Sequence, residues 1–273
     1  MKKLTADEIY TFRKTIRDYY LQVGRSFPWR ETHDPYRILV SEIMLQQTQT
    51  DRVVPKYEEW LSVFPDVKTL AGAPFSLVLE HWVGLGYNRR ARFLQESCRI
   101  IQEKYAGVFP QNPDALDALP GIGPYTARAV ATFSFGTPEV FIETNIRSVF
   151  IFFFFPDKDA VTDSEILELV AETLDDTDPR SWYYALMDYG ATLKKKVTNP
   201  NRKSRHYTRQ SKFDGSLRQA RGCIIRYLSL HKSAGLAEIA ESESIPYERI
   251  ERASLNLLSE QMIAECDGEY HIS

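Results

Sequence analysis

Apolar residues recur three and four positions apart along most of the chain, the spacing that places them on one face of an α-helix. In the first part of the chain this spacing predicts helices over residues 6–23, 36–49, 53–64, 74–83 and 89–105. Thr5 directly precedes the first of them and is a suitable N-cap. No sustained alternation of apolar and polar residues appears there, so the pattern predicts a mainly α-helical fold.

A turn with two glycines follows between two further apolar helical stretches, residues 114–118 and 129–135. Gly121 and Gly123 flank one apolar residue, so the backbone can turn sharply with positive φ while Ile122 anchors the turn in a core. The first N–H groups of the next helix, with the helix dipole, are suited to binding an anion such as a phosphate. An ordinary tight corner between two helices is the alternative interpretation.

The composition limits the class of protein. A chain of 273 residues is long enough for two or three subdomains. It has no run of eighteen apolar residues, and acids interrupt its N-terminus, MKKLTADEIY, so we expect a soluble cytoplasmic protein without a membrane segment. The cysteines, Cys98, Cys223 and Cys266, are too far apart for a disulfide framework or the spacing of a zinc or iron–sulfur site.

The charge is distributed unevenly along the chain. The net charge is −3, but residues 194–226 contain eleven Lys and Arg and one acid, which leaves −13 for the remainder. A basic stretch on an acidic body predicts contact with phosphate groups, and a solvated linker is the alternative. Residues 227–273 contain nine acids and three bases, which is unfavourable for binding a polyanion.

Glu42 stands among the apolar residues of the predicted helix 36–49, where a carboxylate is costly unless it is hydrogen-bonded or functional. Taken alone, it could equally face solvent. The surrounding stretch SEIMLQQTQ, residues 41–49, closely resembles the catalytic-helix motif of the MutY-type adenine DNA glycosylases, of the helix-hairpin-helix DNA glycosylase superfamily. FPWR, GLGYNRRAR, FP and LPGIGPYTA follow the family's order, and the resemblance covers about residues 25–193.

The resemblance implies two helical subdomains with a cleft between them, and it implies DNA as the partner. It assigns the gap-filling wedge beside a flipped nucleotide to Gln47 and Tyr87, which can replace lost stacking. The remaining predicted DNA contacts come from the hairpin, the FPWR motif and the basic stretch: Gly121, Ile122, Gly123, Thr126, Arg30, Lys194, Lys195 and Lys196.

The resemblance also implies a pair of catalytic carboxylates. Hydrolysis of an N-glycosidic bond needs a protonated acid for the leaving base and an anion for the sugar cation. Glu42 is the implied general acid and Glu143 the implied stabiliser, with Asn145 and Tyr125 orienting the site. The family carries Asp and Gly in a pattern like L-D-G-N-V, where this chain has Glu143 and Thr144.

Tyr125 stands where relatives resembling endonuclease III carry a lysine that attacks the sugar, and a tyrosine cannot form a Schiff base. The resemblance therefore implies a monofunctional DNA glycosylase of base excision repair, without β-lyase activity, that removes adenine mispaired with 8-oxoguanine or guanine. Two alternatives stay open. One is a mismatch glycosylase that removes thymine or uracil opposite guanine, and the other is a non-catalytic DNA-binding regulator.

The family usually binds a [4Fe–4S] cluster through four cysteines after the glycosylase core, but residues 193–205 of this chain contain none. We therefore expect no cofactor and no metal. The predicted domains are a glycosylase core over residues 1–212, with a basic clusterless loop at 194–212, and a winged-helix-like module over 213–273. In that module helices are predicted at 216–231, 235–241 and 247–260, followed by a hairpin turn at Asp267 and Gly268. The predicted partner is double-stranded DNA with a mispaired or damaged base, bound by a monomer.

Overall fold

Helices occupy most of the chain, and their positions follow the apolar spacing closely. A computed structural model describes residues 3–208 and 212–273. Residues 209–211, which belong to the predicted basic loop 194–212, lie outside the described residues, as do residues 1 and 2. The mainly α-helical fold class is confirmed.

The α-helices of the described residues are α1 Ala6–Val23, α2 Pro35–Leu45, α3 Thr50–Val63, α4 Val67–Gly72, α5 Phe75–Trp82, α6 Arg89–Tyr105, α7 Pro113–Asp117, α8 Pro124–Phe135, α9 Thr144–Phe154, α10 Asp163–Thr173, α11 Pro179–Lys196, α12 Leu217–His231, α13 Leu236–Ser242 and α14 Tyr247–Ser259. The strands are β1 Ser233–Ala234, β2 Ile263–Cys266 and β3 Glu269–Ile272. Within the same described residues, two 3₁₀ turns lie at Pro28–Arg30 and Pro200–Lys203.

The helix ends show where local sequence decides the structure and where it does not. Thr5 caps α1 in a reciprocal arrangement with Glu8, which confirms the predicted N-cap. In contrast, α2 ends at Leu45 instead of continuing to residue 49, because Gln47 takes a left-handed backbone conformation with φ of 57°. This change of direction separates α2 from α3.

The chain folds into two compact units, each assembled from separate stretches of sequence. Within the described residues, the first unit contains residues 3–39, 110–118 and 122–208, and the second contains 40–109, 119–121 and 212–273. The C-terminal segment thus belongs to the same unit as helices α3 to α6.

Aromatic side chains form the core of the first unit. Phe12 of α1 meets Phe150 of α9 edge to face at 5.3 Å and Trp182 of α11 at 5.8 Å between ring centroids. Phe133 of α8 stacks on Tyr184 of α11 at 4.5 Å. These contacts join α1, α8, α9 and α11, the helices that carry most candidate site residues of this unit.

In the second unit Trp60 and Trp82 join α3 to α5, with 5.4 Å between their ring centroids, and α12 packs against α5 and α14. The strands form an antiparallel sheet in the order β1–β3–β2. Asp267 and Gly268 link β2 to β3 with φ of 53° and 84°, as a two-residue type I′ turn requires, so the predicted hairpin is confirmed. Among the described helices, none is long and apolar enough to cross a membrane.

Candidate functional site

The glycine-rich turn between α7 and α8 has one position that strongly favours glycine. Gly121 has φ of 71°, and a Cβ at this residue would stand 2.6 Å from the Cβ of Phe93. Gly123 differs, because its φ is −99° and it acts as the N-cap of α8. The left-handed conformation expected for both glycines is therefore needed only at Gly121. Ile122 between them is buried, as the pattern predicts.

Tyr125 and Thr126 lie in the first turn of α8. The Tyr125 ring meets Phe141 edge to face at 5.7 Å, and Phe141 stacks on Tyr183 at 3.8 Å. The Thr126 side chain is buried. Any contact of this position with a phosphate would therefore use its backbone rather than its hydroxyl.

Glu143 is the N-cap of α9, and its carboxylate folds back onto that helix. Its Oε1 atom accepts hydrogen bonds from the backbone N–H groups of Asn145 at 2.7 Å and Ile146 at 2.8 Å. Its Oε2 atom accepts a longer one, 3.2 Å, from Asn145 Nδ2. Because the start of a helix carries a partial positive charge, this position stabilises the carboxylate anion.

Lys194 completes the polar cluster around Glu143, since its Nζ atom donates to Asn145 Oδ1 at 2.8 Å. Burial raises the pKa of Glu143 above its ordinary value, while the N–H groups of Asn145 and Ile146 and the charges of Lys194 and Arg147 act in the opposite direction. Burial also lowers the pKa of Lys194, and Glu143 opposes this shift. The structure thus adds Lys194 to the predicted pair of Glu143 and Asn145, which the sequence alone does not indicate.

Glu42 lies on α2 in the second unit and is only 6% exposed. Every residue from 38 to 44 is buried, so this segment of α2 has no solvent-facing side. The solvent-facing alternative for Glu42 is therefore excluded. A carboxylate in such surroundings is the type of group that serves as a catalytic acid.

Gln47 and Tyr87 both occupy left-handed turns, with φ of 57° and 49°. They line one cavity of about 520 Å³ in the second unit, together with Phe93, Arg218 and Gly222. Arg218 of α12 donates a hydrogen bond to the Tyr87 hydroxyl at 2.7 Å. The C-terminal segment therefore contacts one of the two predicted wedge residues directly.

Arg90 supports the turns of Gln47 and Tyr87 from the protein interior. It was not among the predicted site residues. Its Nη1 atom donates to the carbonyls of Ile43, Met44 and Gln46 at 2.7–3.0 Å. Its Nη2 atom donates to Leu85 O, Gly86 O and Thr48 Oγ1 at 2.9–3.2 Å. Burial lowers the pKa of Arg90 to about 10, so it remains charged at neutral pH. Arg90 lies four positions before the buried Leu94 on α6, and this helical spacing is the signal that could have indicated its burial.

The predicted DNA contact of Arg30 is corrected by the structure. Its guanidinium forms two hydrogen bonds, 2.8 and 2.9 Å, with the carboxylate of Asp188, and its side chain is 8% exposed. It also lies 4.3 Å from the ring centroid of Tyr184. A buried, bidentate ion pair cannot turn outward to a phosphate, so we assign Arg30 a structural role in place of the predicted contact.

The basic residues of the stretch 194–226 differ in whether an acid of the protein pairs with them. Lys195 and Lys196 are exposed at the end of α11, as a phosphate contact requires, and that role stays a prediction. In the second unit, by contrast, Arg221 pairs with Glu260 and Arg226 with Glu243. Part of the positive charge that the sequence analysis attributed to DNA binding is therefore balanced by acids within the protein.

Known proteins are similar to this chain in sequence and in fold. The family described as HhH-GPD superfamily base excision DNA repair protein matches residues 40–175, which include Glu42, the hairpin and Glu143. The chain belongs to this superfamily.

Several curated relatives carry the name adenine DNA glycosylase. One from Mycolicibacterium smegmatis is 40% identical over 180 residues, covering 65% of this chain and 61% of the relative. One from Buchnera aphidicola is 34% identical over 187 residues, covering 67% and 52%, and one from Homo sapiens is 32% identical, covering 68% and 36%. This chain thus aligns with about a third to three fifths of these relatives' length.

Solved structures share the fold over about two thirds of this chain. The structure of a thermostable thymine-DNA glycosylase is 28% identical, with a TM-score of 0.61, and the match covers 68% of this chain and 87% of that one. A trapped endonuclease III–DNA covalent intermediate is 19% identical, with a TM-score of 0.58 over 70% of this chain and 88% of that one.

Proposed function

We propose that this protein is a monofunctional DNA glycosylase of base excision repair that removes adenine mispaired with 8-oxoguanine or guanine from double-stranded DNA. The observation that carries the proposal is the carboxylate of Glu143, held at the start of α9 by Asn145 and Ile146. Both carboxylates expected of a glycosylase, Glu42 and Glu143, are present and largely removed from solvent. The name that several relatives share supports adenine as the base.

In the proposed mechanism the two carboxylates act in different protonation states. Glu42 acts as the general acid, delivers a proton to the departing base and then activates water. Glu143, ionised at the helix start, stabilises the positive charge that develops on the sugar. The Asn145 amide holds the Glu143 carboxylate in place. Because the target bond is hidden in the base stack, the nucleotide must first be flipped out, and we assign the wedge to Gln47 and Tyr87.

We propose hydrolysis without strand cleavage and without an iron–sulfur cluster. Tyr125 supplies no amine for a Schiff base. The cysteines do not fit a cluster, because Cys98 and Cys223 are buried on different helices and Cys266 is exposed on a strand. Burial raises the pKa of the Cys98 thiol far above its ordinary range, which disfavours the thiolate that ligation needs. Among the described residues, no three His, Cys, Asp or Glu side chains are grouped to hold a metal.

We propose that the C-terminal segment is a winged-helix-like module. Its elements run helix, strand, helix, helix, strand, strand, and the sheet order β1–β3–β2 supports this assignment. The contact of Arg218 with Tyr87 supports a role in positioning the wedge. The acidic character of residues 227–273 argues against this surface binding DNA by itself.

A mismatch thymine-DNA glycosylase is the second candidate. The match to the thermostable thymine-DNA glycosylase covers 87% of that chain, a larger share than the alignments cover of the adenine DNA glycosylases cited above. The two activities differ in the base that is removed, so one assay separates them.

The experiment is a single-turnover assay on a panel of duplexes that contain adenine opposite 8-oxoguanine, guanine or thymine, and thymine or uracil opposite guanine. Alkali treatment then converts each abasic product into a strand break. We expect cleavage of the first two duplexes only after alkali. Release of thymine or uracil would favour the second candidate, cleavage before alkali would contradict monofunctional hydrolysis, and no release from any duplex would favour the regulator.

The matched variants for this assay are Glu42→Gln and Glu58→Gln, the latter an exposed glutamate on α3 in the same unit. Loss of a general acid lowers the rate by about 10²- to 10⁴-fold. We expect this loss, with unchanged DNA affinity, for Glu42→Gln alone. A Glu42→Gln rate within twofold of wild type would remove Glu42 from the mechanism, and stoichiometric iron in the purified protein would contradict the clusterless proposal.

A further inference from the structure

Lys194 differs from the two lysines that follow it at the end of α11. Lys195 and Lys196 are exposed, whereas Lys194 is half-buried and its ammonium donates to Asn145 Oδ1 at 2.8 Å. The charge density of this stretch suggests three equivalent contacts with DNA. The structure separates the first lysine from the other two.

The hydrogen bond from Lys194 determines which way the Asn145 amide faces. A lysine ammonium has three donors and no acceptor, so it binds only the oxygen side of the amide. The NH₂ side of Asn145 then faces Glu143 Oε2, at 3.2 Å. If the amide turned over, its oxygen would oppose the carboxylate and its NH₂ would oppose the ammonium, and both contacts would become repulsive. Lys194 therefore selects the orientation in which Asn145 supports Glu143.

Helix α11 comes close to Asn145 at a second point, one turn before Lys194. A Cβ at Gly190 would stand 2.3 Å from the backbone oxygen of Asn145, so glycine is required for this approach. Residues 190 and 194 share one face of the helix because they are four positions apart. The close approach of the helices at Gly190 holds Lys194 within reach of the Asn145 side chain.

The charges around Glu143 make Lys194 the cation that matters most. Arg147, one turn along α9, also faces Glu143, but its guanidinium forms two hydrogen bonds with Asp163 of α10 at 2.7 and 2.8 Å. His206 interacts with Asp163 in turn. Because Asp163 largely balances Arg147, Lys194 supplies most of the positive charge that acts on Glu143.

We propose that Lys194 is a positioning residue for the reaction: through Asn145 it orients the Glu143 carboxylate, and its ammonium places a positive charge beside that carboxylate. The proposal rests on the proposed function, in which Glu143 stabilises the sugar cation. It assigns to the basic stretch 194–196 two separate tasks, support of the site by Lys194 and contact with DNA by Lys195 and Lys196.

The experiment compares Lys194→Met with Lys195→Met and with Lys158→Met, which removes an exposed lysine of the same unit that pairs with Glu165. The readouts are the single-turnover rate of adenine release from pH 4 to 9 and the affinity for the same duplex. Misplacement of a reacting group by about 1 Å can cost about 100-fold, so we expect Lys194→Met to lower the rate by about 10- to 100-fold.

The pH profile separates positioning from a merely structural effect. The rate rises with pH as Glu143 ionises, and loss of a nearby cation raises the pKa of a carboxyl. The acidic limb should therefore move to higher pH in Lys194→Met and stay in place in Lys195→Met and Lys158→Met. Lys195→Met should instead weaken affinity and flatten its salt dependence.

Lys194→Gln separates the hydrogen bond from the charge, because its NH₂ group can still donate to Asn145 Oδ1. We expect this variant to retain more of the rate than Lys194→Met while its acidic limb still moves. If Lys194→Met fails to fold, Lys194→Gln still tests the proposal. The proposal would be overturned if the acidic limb of the pH–rate profile stayed in place in Lys194→Gln. It would also be overturned if Lys194→Met and Lys195→Met weakened DNA affinity equally and left their acidic limbs in place.

A readout without DNA distinguishes this proposal from the proposed function. The pKa of the Glu143 carboxyl, followed by NMR of ¹³C-labelled glutamate, should rise in Lys194→Gln and not in Lys158→Met. If the wild type releases no base but this rise occurs, the proposed function fails and the coupling of Lys194 to Glu143 stands. If base is released and the pKa of Glu143 is the same in all variants, the function stands and the role of Lys194 is refuted.

Discussion

The cluster around Glu143 and the turns that carry Gln47 and Tyr87 are held in place by different means. Around Glu143, polar side chains hold one another directly: the carboxylate caps its own helix, and Asn145 links it to Lys194. Gln47 and Tyr87 instead lie on left-handed backbone, and Arg90 supports their turns from the protein interior through carbonyl groups.

This difference suggests a division between chemistry and DNA contact. A group that stabilises charge in a transition state must be oriented and electrically tuned, which hydrogen bonds to its own atoms accomplish. A wedge that replaces lost stacking needs only to project from a rigid turn, and its own contacts can stay adaptable. Changes at the Glu143 cluster should therefore alter the rate, and changes behind the turns should alter stability first.

The largest effect is expected for Glu143→Gln. The amide oxygen can still accept the N–H groups of Asn145 and Ile146, so the helix cap is retained, while the negative charge and the acceptor that faces Asn145 Nδ2 are lost. We expect the single-turnover rate to fall by about 10²- to 10⁴-fold, with a melting temperature close to that of wild type.

The control is Glu168→Gln, an exposed glutamate on α10 of the same unit, which should leave the rate unchanged. A wild-type rate in Glu143→Gln would show that the cluster is a helix cap without a catalytic task, and the contrast between the two regions would disappear.

Arg90→Met tests the other side of the comparison. The substitution removes the donors that satisfy carbonyls of the two turns, among them those of Gln46 and Gly86. Buried acceptors without partners cost about 1–3 kcal/mol each, so we expect the free energy of unfolding to fall by about 3–5 kcal/mol. Urea denaturation measures this loss.

Arg89→Met is the matched control, because Arg89 is exposed and pairs with Glu260 near the surface. Surface ion pairs contribute about 0–1 kcal/mol, so its effect should be small. Equal effects of the two substitutions would mean that Arg90 does not organise the turns.

The two hairpin glycines test backbone strain, and the expected loss of unfolding free energy is smaller than for Arg90→Met. Gly121→Ala forces a left-handed alanine and places its Cβ against Phe93, which we expect to cost about 1–3 kcal/mol of unfolding free energy. Gly123→Ala, at φ of −99° and with open space for the Cβ, should cost less, about 0.5–1 kcal/mol, because alanine is a poorer N-cap than glycine. Thermal unfolding of the two variants, compared with wild type, measures both. Equal losses would show that the turn is not set by Gly121.

The smallest effect concerns the exposed lysines. Neutralising Lys195 and Lys196 together should weaken binding to all duplexes, and the slope of log affinity against log salt should become less negative by about 0.9 for each phosphate that is no longer neutralised. The rate at saturating protein should hardly change, in contrast to Lys194→Met. Fluorescence anisotropy at salt concentrations from about 50 to 200 mM measures the slope. An unchanged slope would mean that these two lysines are only solvated.

Local patterns predicted the elements of this fold well, because they act over a few residues. Apolar spacing predicted most helices, the Thr5–Glu8 pair caps α1, and Asp267–Gly268 forms the hairpin turn. The position of Ile122 between two glycines likewise predicted its burial. Each of these features depends on neighbours within about four positions, where propensity and steric limits dominate.

Tertiary contacts decided what the charged residues do. Arg30 was predicted to bind DNA, but Asp188, 158 positions away, holds it in a buried ion pair. Lys194 was predicted to contact DNA together with Lys195 and Lys196. Its hydrogen bond to Asn145, 49 positions away, gives it different surroundings from those two lysines. The acids that pair with Arg221 and Arg226 lie 39 and 17 positions further along the chain.

The sequence by itself determined the helical fold, the family and the candidate carboxylates, because periodicity and ordered motifs are properties of the chain. Only the tertiary structure decided that Glu143 caps α9, that Arg90 supports the two turns and that the C-terminal segment packs in one unit with α3 to α6. The physical reason is that a charged side chain takes its role from the partners that folding brings within about 3 Å, and local sequence does not specify those partners.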